Sequence, residues 1–165
     1  MTDALAAARA TGRRALTEIE AASLLGGYGL PISPARLARS PEELEAVLQV
    51  VEPPWALKIV SPDILHKTDV GGVVLGVRGA REARQAFDTL TRRAAAARPG
   101  ARLEGVLVQH QVEGAVAEML LGVSRDEQFG PVVLVGLGGV FAEALEDVAL
   151  RLAPVEAAEA RRALR

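Results

Sequence analysis

The sequence predicts an α+β fold in which helices flank mixed or antiparallel sheets. Apolar runs of strand length occur both in hairpin-like sets and across intervening helices, a pattern that suits a mixed or antiparallel sheet better than a doubly wound parallel one. Half of the 165 residues are hydrophobic and 24% are charged, which is typical of a globular protein. A chain of this length buries about two-thirds of the surface that its unfolded state exposes, so it needs no disulfide.

The composition also excludes several classes of partner. A net charge of -2 and an aromatic content of 3% leave no basic footprint for nucleic acid and few rings on which bases could stack. The absence of cysteine excludes a thiolate metal site and a cysteine nucleophile. The apolar run "FGPVVLVGLGGVFA" has 14 residues and is too short to span a bilayer. We therefore predict a soluble protein that binds neither nucleic acid nor membrane, and the lack of cysteine is compatible with the expected cytoplasmic location without demonstrating it.

The first third of the chain carries clear helix signals. Residues 1–15 are rich in alanine and arginine and are expected to be a loose lead-in or linker. Thr17 and Glu20 form a T-x-x-E capping box that predicts a short helix, ended by paired glycines. A short strand is expected within "YGLPISPARLA". Ser40, Pro41 and Glu43 repeat the start signal, and apolar residues at helical spacing follow them: Leu44, Val47, Leu48 and Val51.

Strands dominate the rest of the prediction. "WALKIV" and "GGVVLGV" are read as strands on either side of a polar segment, and residues 80–98 as a helix with Phe87, Leu90 and Ala94 on one side. Three closely spaced strands are predicted next, in "LEGVLVQHQV", "VAEMLLGVS" and "FGPVVLVGL". A short helix around residues 142–147, a strand in "VALRLAP" and a helix from Val155 complete the prediction.

The polar segment between the first two of these strands fits a phosphate site. It has about a dozen residues, whereas hairpin loops usually have two to five. Gly71 and Gly72 permit backbone conformations in which successive N–H groups point at one anion. Lys58 lies towards the end of its strand and Lys67 lies in the segment, so the two ammonium groups predict a cradle for a polyphosphate without a Walker motif. The same pattern also fits a solvated loop with one buried, capped lysine.

His66, in the same segment, is a candidate catalytic residue. A neutral imidazole is nucleophilic and titrates near neutrality, so it can accept a phosphoryl group and pass it on. Spacing alone favours the alternative in which His66 only hydrogen-bonds the loop. His110, within "VLVQHQV", is interpreted as structural.

A second glycine cluster lies in "VVLVGLGGVFAE". It does not match a dinucleotide-binding motif, because Phe141 occupies the place where a small residue is required. Gly138 and Gly139 precede a predicted helix N-terminus, where bare amides suit an anion. Three carboxylates share one face of that helix, and they fit either a Mg²⁺ site or a solvated surface: Glu143, Glu146 and Asp147.

These segments together resemble the ATP-grasp domain of NDP-forming acyl-CoA synthetases, a family that includes the β subunit of ADP-forming acetyl-CoA synthetase. The resemblance rests on "LTEIEAASLLGGYGLPIS", "ALKIVSPDILHKTDVGGVVLGV" and "VLVQHQVEGAVAEMLLGVSRDEQFGPVVLVGLGGVFAEALEDVALRLAPV". It covers residues 16 to about 160 in order. It implies an ATP-grasp fold with two lobes, the first at about 16–107 and the second at about 108–165, that clasp ATP or ADP with Mg²⁺.

The resemblance also implies roles for individual residues. Lys58 would contact the nucleotide phosphates, and His66 would exchange a phosphoryl group with the nucleotide. The remaining positions would line the nucleotide: Gly71 and Gly72 on the phosphate side, where the pattern above also places Lys67, Val108, Gln109 and Val112 against adenine, Glu113 near the ribose, and Gly138, Gly139 and the metal ligand Glu143 in the second lobe.

The same resemblance implies an acid–thiol ligase that acts with a CoA-binding subunit or fused domain. The family continues beyond "APV" to an acidic strand that binds Mg²⁺, so we expect this chain to be C-terminally incomplete. A common fusion adds an acetyltransferase domain, which makes a protein lysine acetyltransferase. The alternative is therefore a non-catalytic or regulatory nucleotide-binding module, for example within such a fusion.

Overall fold

The computed structural model describes residues 3–139 and 148–164. The chain divides into two compact units, Met1–Val112 and Glu113–Arg165. The division lies somewhat beyond the boundary near residue 108 that the sequence suggests, because the strand containing that position is an inner strand of the first sheet.

The first residues are not the loose lead-in that the sequence suggests. Helix α1 spans Asp3–Ala10, and the hydroxyl of Thr11 donates to the carbonyl oxygens of Ala7 and Ala8, both at 3.0 Å. Ala8 is buried. Alanine has the strongest intrinsic helix propensity, so a run of alanines that places one side chain in the interior forms a helix here.

Helix α2 spans Glu18–Gly26 and has the predicted capping box. The backbone N–H of Thr17 donates to the Glu20 carboxylate at 2.8 Å, and the N–H of Glu20 donates to the Thr17 hydroxyl at 3.5 Å. Arg13 also donates two hydrogen bonds to Glu20, at 2.8 and 2.7 Å. These contacts fix the start of α2 and place Glu18 in its first turn.

The first unit contains a four-stranded sheet. Its strands are β1 (Ala35–Ala38), β2 (Trp55–Val60), β3 (Val73–Val77) and β4 (Gly105–His110). They pair in the order β1-β4-β2-β3, and every pairing is antiparallel. Two further helices, α3 (Pro41–Leu48) and α4 (Ala80–Ala97), lie close to the predicted positions.

One face of this sheet packs on the hydrophobic core, and the other face carries the candidate site. Leu57 pairs with Val108 and Lys58 pairs with Leu107, and successive side chains of a strand point to opposite faces. Leu57 and Val108 are fully buried in the hydrophobic core with α3 and α4, which contribute Leu44, Val47, Ala83, Ala86, Phe87, Leu90 and Ala94. Lys58 lies on the other face, where the candidate site is found.

The second unit is a three-stranded antiparallel sheet with one described helix. Strands β5 (Met119–Asp126), β6 (Gly130–Leu137) and β7 (Val148–Leu152) pair in that order, and α5 spans Ala157–Ala163. The predicted helix at 142–147 lies outside the described residues. Within the part of the chain that is described, no helix is both long and apolar enough to cross a membrane.

Candidate functional site

The candidate site begins with the side chain of Lys58 in β2. Its Nζ donates to Glu18 Oε1 at 2.8 Å and to Gln109 Oε1 at 2.8 Å. The Nζ of Lys67, from the polar segment, donates to the second carboxylate oxygen of Glu18. The structure therefore brings together both predicted phosphate-binding lysines, and it joins them through an acidic residue.

Glu18 was not selected as a site residue in the sequence analysis. Burial raises the pKa of its carboxyl, but the hydrogen bonds from Lys58 and Lys67 and their charges outweigh that effect, so the pKa is lowered from its ordinary value. Glu18 is thus ionised at neutral pH and neutralises part of the charge of the two lysines. The sequence does contain one indication of this residue, namely an acidic side chain directly after the predicted N-cap Thr17. An acidic residue at that position is more simply explained by its favourable interaction with the helix dipole.

Among the positions predicted to contact adenine and ribose, the structure separates Gln109 from Val108. Gln109 shares the face of Lys58 and accepts its hydrogen bond. The side chain of Val108 is fully buried in the core on the opposite face, so a place of this segment against adenine would not use the Val108 side chain, and that place stays a prediction. Val112 and Glu113 follow the end of β4 and are exposed.

His66 lies in the connection between β2 and β3, and its side chain is exposed. It lines a shallow pocket of about 210 Å³ together with Asp69 and Arg98. Asp63, near the start of the segment, receives two side-chain hydrogen bonds from Arg102, at 3.0 and 2.8 Å. The Arg102 side-chain and backbone hydrogen bonds lower the pKa of Asp63 to about 2. The segment is therefore anchored at its start while the imidazole faces solvent.

Gly71 and Gly72 close the segment, but they do not present free amides. Gly71 has φ 61°, and its N–H donates to the carbonyl of Thr68 at 3.0 Å. The N–H of Gly72 donates to the carbonyl of Lys67 at 2.7 Å. A Cβ atom on Gly72 would lie 2.7 Å from the side chain of Ile59. In this conformation the two glycines serve a tight turn and a close approach, and the expected anion cradle of successive N–H groups is not formed.

His110 has the structural role predicted for it. Its Nδ1 lies 3.0 Å from the carbonyl oxygen of Glu52, and its backbone N–H donates to the carbonyl of Pro34 at 3.0 Å. These contacts tie the end of β4 to two neighbouring loops.

A mostly apolar cavity of about 400 Å³ adjoins the lysine cluster in the first unit. Glu18 and Gln109 line its polar part, and the walls come from α2, the connection from α2 to β1, and strands β1 and β4, including Ile19, Ile32 and Leu37. An apolar cavity beside a few convergent polar groups is the usual form of a small-molecule site.

The predicted glycines of the second unit surround another acidic residue. The N–H of Gly138 donates to the carbonyl of Glu118 at 2.8 Å. Gly139 has φ 61°, and a Cβ atom there would clash with Glu118 Oε2. Glu118, which the sequence analysis did not select, therefore lies directly against both glycines. The predicted metal ligand Glu143 lies outside the described residues, and residues 3–139 and 148–164 contain no cluster of three potential metal ligands.

The first unit thus offers two ammonium groups, one exposed imidazole and one apolar cavity. Lysines bind phosphate oxygens as point charges, and a neutral imidazole is a nucleophile. Such a set of groups can bind an anionic phosphate compound and accept a phosphoryl group from it.

The family model and the similar proteins with known names point to the same family. A family model described as an ATP-grasp domain matches residues 7–165. An ADP-forming acetate–CoA ligase I of Archaeoglobus fulgidus is 41% identical over 146 residues, which is 88% of this chain and 21% of that protein. The β subunit of the ADP-forming acetate–CoA ligase I of Pyrococcus furiosus is 40% identical over 152 residues, covering 92% of this chain and 65% of the subunit. The chain therefore spans about a fifth of the first relative and about two-thirds of the second.

Solved structures of acetyl-coenzyme A synthetase 1 from Ca. Korarchaeum cryptofilum match the fold. One, in complex with coenzyme A and Ca-AMPCP, aligns with a TM-score of 0.93 at 40% identity, covering 98% of this chain and 70% of that chain. Another, with coenzyme A and Mg-AMPPCP, aligns with a TM-score of 0.79 at 35% identity over 98% and 68% of the two chains. Its phosphohistidine segment is described as pointing towards the nucleotide-binding site.

Proposed function

The chain belongs to the ATP-grasp domain family, and from this we propose that it is the nucleotide-binding part of an ADP-forming acyl-CoA synthetase, an acid–thiol ligase. The observation that carries the proposal is the convergence of Lys58 and Lys67 on Glu18, next to a segment with an exposed His66. We also propose that the two units are the two lobes of the family fold.

The bound compound would be ATP or ADP. In the first unit, Lys58 would contact the phosphates, since its strand position fixes the ammonium beside Gln109. Lys67 would add a second charge. The nucleotide analogues in the Korarchaeum structures support this choice of ligand. The cavity beside Gln109 gives the first unit an apolar surface next to these charges.

The chemical step would be phosphoryl transfer between the nucleotide and His66. An unprotonated ring nitrogen attacks the γ-phosphorus of ATP, a nitrogen–phosphorus bond forms, and the bond to the β-phosphate oxygen breaks. ADP leaves with that electron pair, and the imidazole carries the phosphoryl group. The reverse step transfers the group to ADP. The exposure of the imidazole supports this role, because a buried ring could not meet the nucleotide.

Mg²⁺ is the expected metal partner of the nucleotide, since it is commonly held by one or two carboxylates together with substrate phosphates. The described residues do not form a metal cluster of their own. Glu143 stays the predicted protein ligand, and Glu118 beside Gly138 and Gly139 is a described carboxylate in the same unit.

A CoA-binding part is the partner that this function requires, because acyl-CoA chemistry must supply or consume the phosphoryl group. The relatives named as a ligase subunit and as a longer ligase support both a separate subunit and a fused domain. We also propose a fused acetyltransferase domain as a further arrangement of the same module. We place the activity in the cytoplasm, where ATP and a reducing environment suit a cysteine-free, nucleotide-using chain.

The test uses the fact that the sequence contains only two histidines. The chain is incubated with Mg²⁺ and ATP labelled at the γ-phosphate, and label stable to base but labile to acid is measured on wild type, His66→Asn and His110→Asn. We expect label on wild type and His110→Asn and none on His66→Asn. Asn at position 110 retains a donor for the Glu52 carbonyl, which makes this variant a matched control.

Two results would overturn the proposal. Absence of label on wild type under these conditions removes the phosphoryl-transfer function and leaves the non-catalytic nucleotide-binding module, which the ligase names of the relatives do not favour. Equal labelling of His66→Asn assigns the transfer to another residue.

A further inference from the structure

One carboxylate holds both lysines of the chain. The sequence contains only Lys58 and Lys67 as lysines, against many arginines. Each donates to a different oxygen of Glu18. The exposed side-chain fractions are 25% for Lys58, 19% for Lys67 and 29% for Glu18, so this contact is partly shielded from water and is less screened than a surface ion pair.

Asp63 is bonded to Arg102 at the start of the segment that carries His66, and the contact of Lys67 with Glu18 ties the middle of that segment to the rest of the unit. From Leu65 to Asp69, the only side chain with a hydrogen bond or ion pair to another element, within the residues described, is that of Lys67. The other polar contacts in this stretch are internal, namely the N–H groups of Gly71 and Gly72 bonded to Thr68 and Lys67. Loss of the Glu18 contact would therefore leave the middle of the segment held by its own turn and by the apolar contact of Val70.

An anion that binds at Lys58 would affect the contact between Glu18 and Lys67 through its charge. Two ammonium groups at one carboxylate repel each other, and the carboxylate offsets that repulsion. A phosphate group that reaches Lys58 brings negative charge next to Glu18 and competes with it for both ammonium groups. The same anion therefore weakens the bond between Glu18 and Lys67.

We propose that Glu18 is a positioning residue that ties the segment carrying His66 to the lysine of β2, and that an anionic phosphate group bound at Lys58 loosens this tie. The second half of the statement rests on the proposed nucleotide-binding function. The first half rests only on the contacts of the first unit.

The test of the tie is hydrogen exchange measured by mass spectrometry on peptides that cover residues 61–72. The amides of Gly71 and Gly72 report opening of the segment because they are bonded within it. In Glu18→Gln one oxygen is replaced by an amide group that cannot accept a bond from lysine, so bridging of both lysines is lost. We expect exchange of these peptides to rise by roughly tenfold, the scale of one charged hydrogen bond.

Controls separate this role from an effect on helix α2. Glu45→Gln removes a carboxylate that pairs with Arg84 at 3.2 Å on the exposed surface, and it should leave the segment unchanged. Lys67→Gln should reproduce the effect of Glu18→Gln, and the double variant should add nothing further, because both remove the same contact. Acylation of Lys67 by an amine-reactive reagent should also accelerate in Glu18→Gln. Unchanged exchange and acylation in Glu18→Gln, or additive effects of the two variants, would overturn the tie.

ADP is the probe for the coupling. We expect saturating ADP to raise exchange of residues 61–72 in wild type and to have no further effect in Glu18→Gln. If calorimetry shows ADP binding to wild type without any rise in exchange, the coupling is wrong while the proposed function stands. If ADP does not bind, the proposed function and the coupling both fail, and the comparison of wild type with Glu18→Gln still decides the tie.

Discussion

The ammonium of Lys58 donates a 2.8 Å hydrogen bond to the carboxylate of Glu18, although 40 residues separate the two in the sequence. The bond joins the middle of β2 to the first turn of α2, on the face of the sheet opposite the hydrophobic core. Because Gln109 accepts a second bond from the same ammonium, the position of Lys58 is fixed from two elements. A phosphate that binds there meets a lysine that is already oriented.

Replacing Lys58 tests its place in the nucleotide site. We expect Lys58→Ala to weaken ATP binding by about 1–3 kcal/mol, the scale of a lost hydrogen bond to a charged group. Calorimetric titration with ATP measures the change. Arg84→Ala, which removes a cation from an exposed pair with Glu45, should leave the affinity unaltered. Equal affinity of wild type and Lys58→Ala would remove Lys58 from the site.

Adjacent residues of β4 should respond in different ways to substitution by alanine. Val108 is fully buried in the core, so Val108→Ala should lower the free energy of unfolding by about 2 kcal/mol through cavity formation. Gln109→Ala should instead weaken ATP binding by about 0.5–1.5 kcal/mol, since Lys58 loses a neutral acceptor. Urea denaturation and calorimetry measure the two effects. A reversed pattern would contradict the assignment of the two faces of the sheet.

Gly72 should not tolerate a side chain. A Cβ atom at this position would lie 2.7 Å from Ile59 Cδ1 and 2.9 Å from the carbonyl oxygen of Lys67. We expect Gly72→Ala to lower the free energy of unfolding by about 1–3 kcal/mol because of overpacking. The matched control is Gly26→Ala at the end of α2, where the nearest atom is 3.7 Å away. There the added methyl group should be neutral or stabilising by up to about 1 kcal/mol, and similar losses in both variants would speak against the steric explanation.

The pair of Arg13 and Glu20 should stabilise the fold in a pH-dependent way. Hydrogen bonds from Arg13 are the main cause that lowers the pKa of Glu20 from 4.5 to about 2. A carboxyl whose pKa is depressed in the folded state contributes stability above its unfolded pKa and loses it as the pH falls through the folded value. The difference in melting temperature between wild type and Glu20→Gln should therefore be largest above about pH 5 and shrink between pH 4.5 and 2. Because Glu20 also caps α2, a residual difference at pH 2 is expected, whereas a constant difference across this range would contradict the assignment.

Much of the fold follows from local patterns in the sequence. The capping signals at Thr17 and Ser40 predicted α2 and α3, and the periodicity of the apolar residues predicted α4 on its observed buried face. The strand "WALKIV" coincides with β2. These predictions succeeded because caps, periodicity and alternation act over a few residues and are therefore visible in a single sequence.

The candidate site was only partly predictable for the opposite reason. Lys58, Lys67 and His66 were found because they lie near the glycines in one segment. Glu18 was missed because its contact depends on how α2 packs over the sheet, which no local pattern encodes. The alternation of β4 did contain the information that Val108 and Gln109 face opposite sides, and the pairing of Leu57 with Val108 shows which side is the core.

The strand order β1-β4-β2-β3 has a consequence for synthesis on the ribosome. β4 lies between β1 and β2, yet it is translated after every other strand of that sheet. Until Gly105–His110 leave the exit tunnel, β1 and the hairpin of β2 and β3 each keep an unpaired edge, which is a template for association with other nascent chains. A stalled or prematurely terminated product that lacks these six residues should therefore be a chaperone client, whereas one that includes them can complete its own sheet.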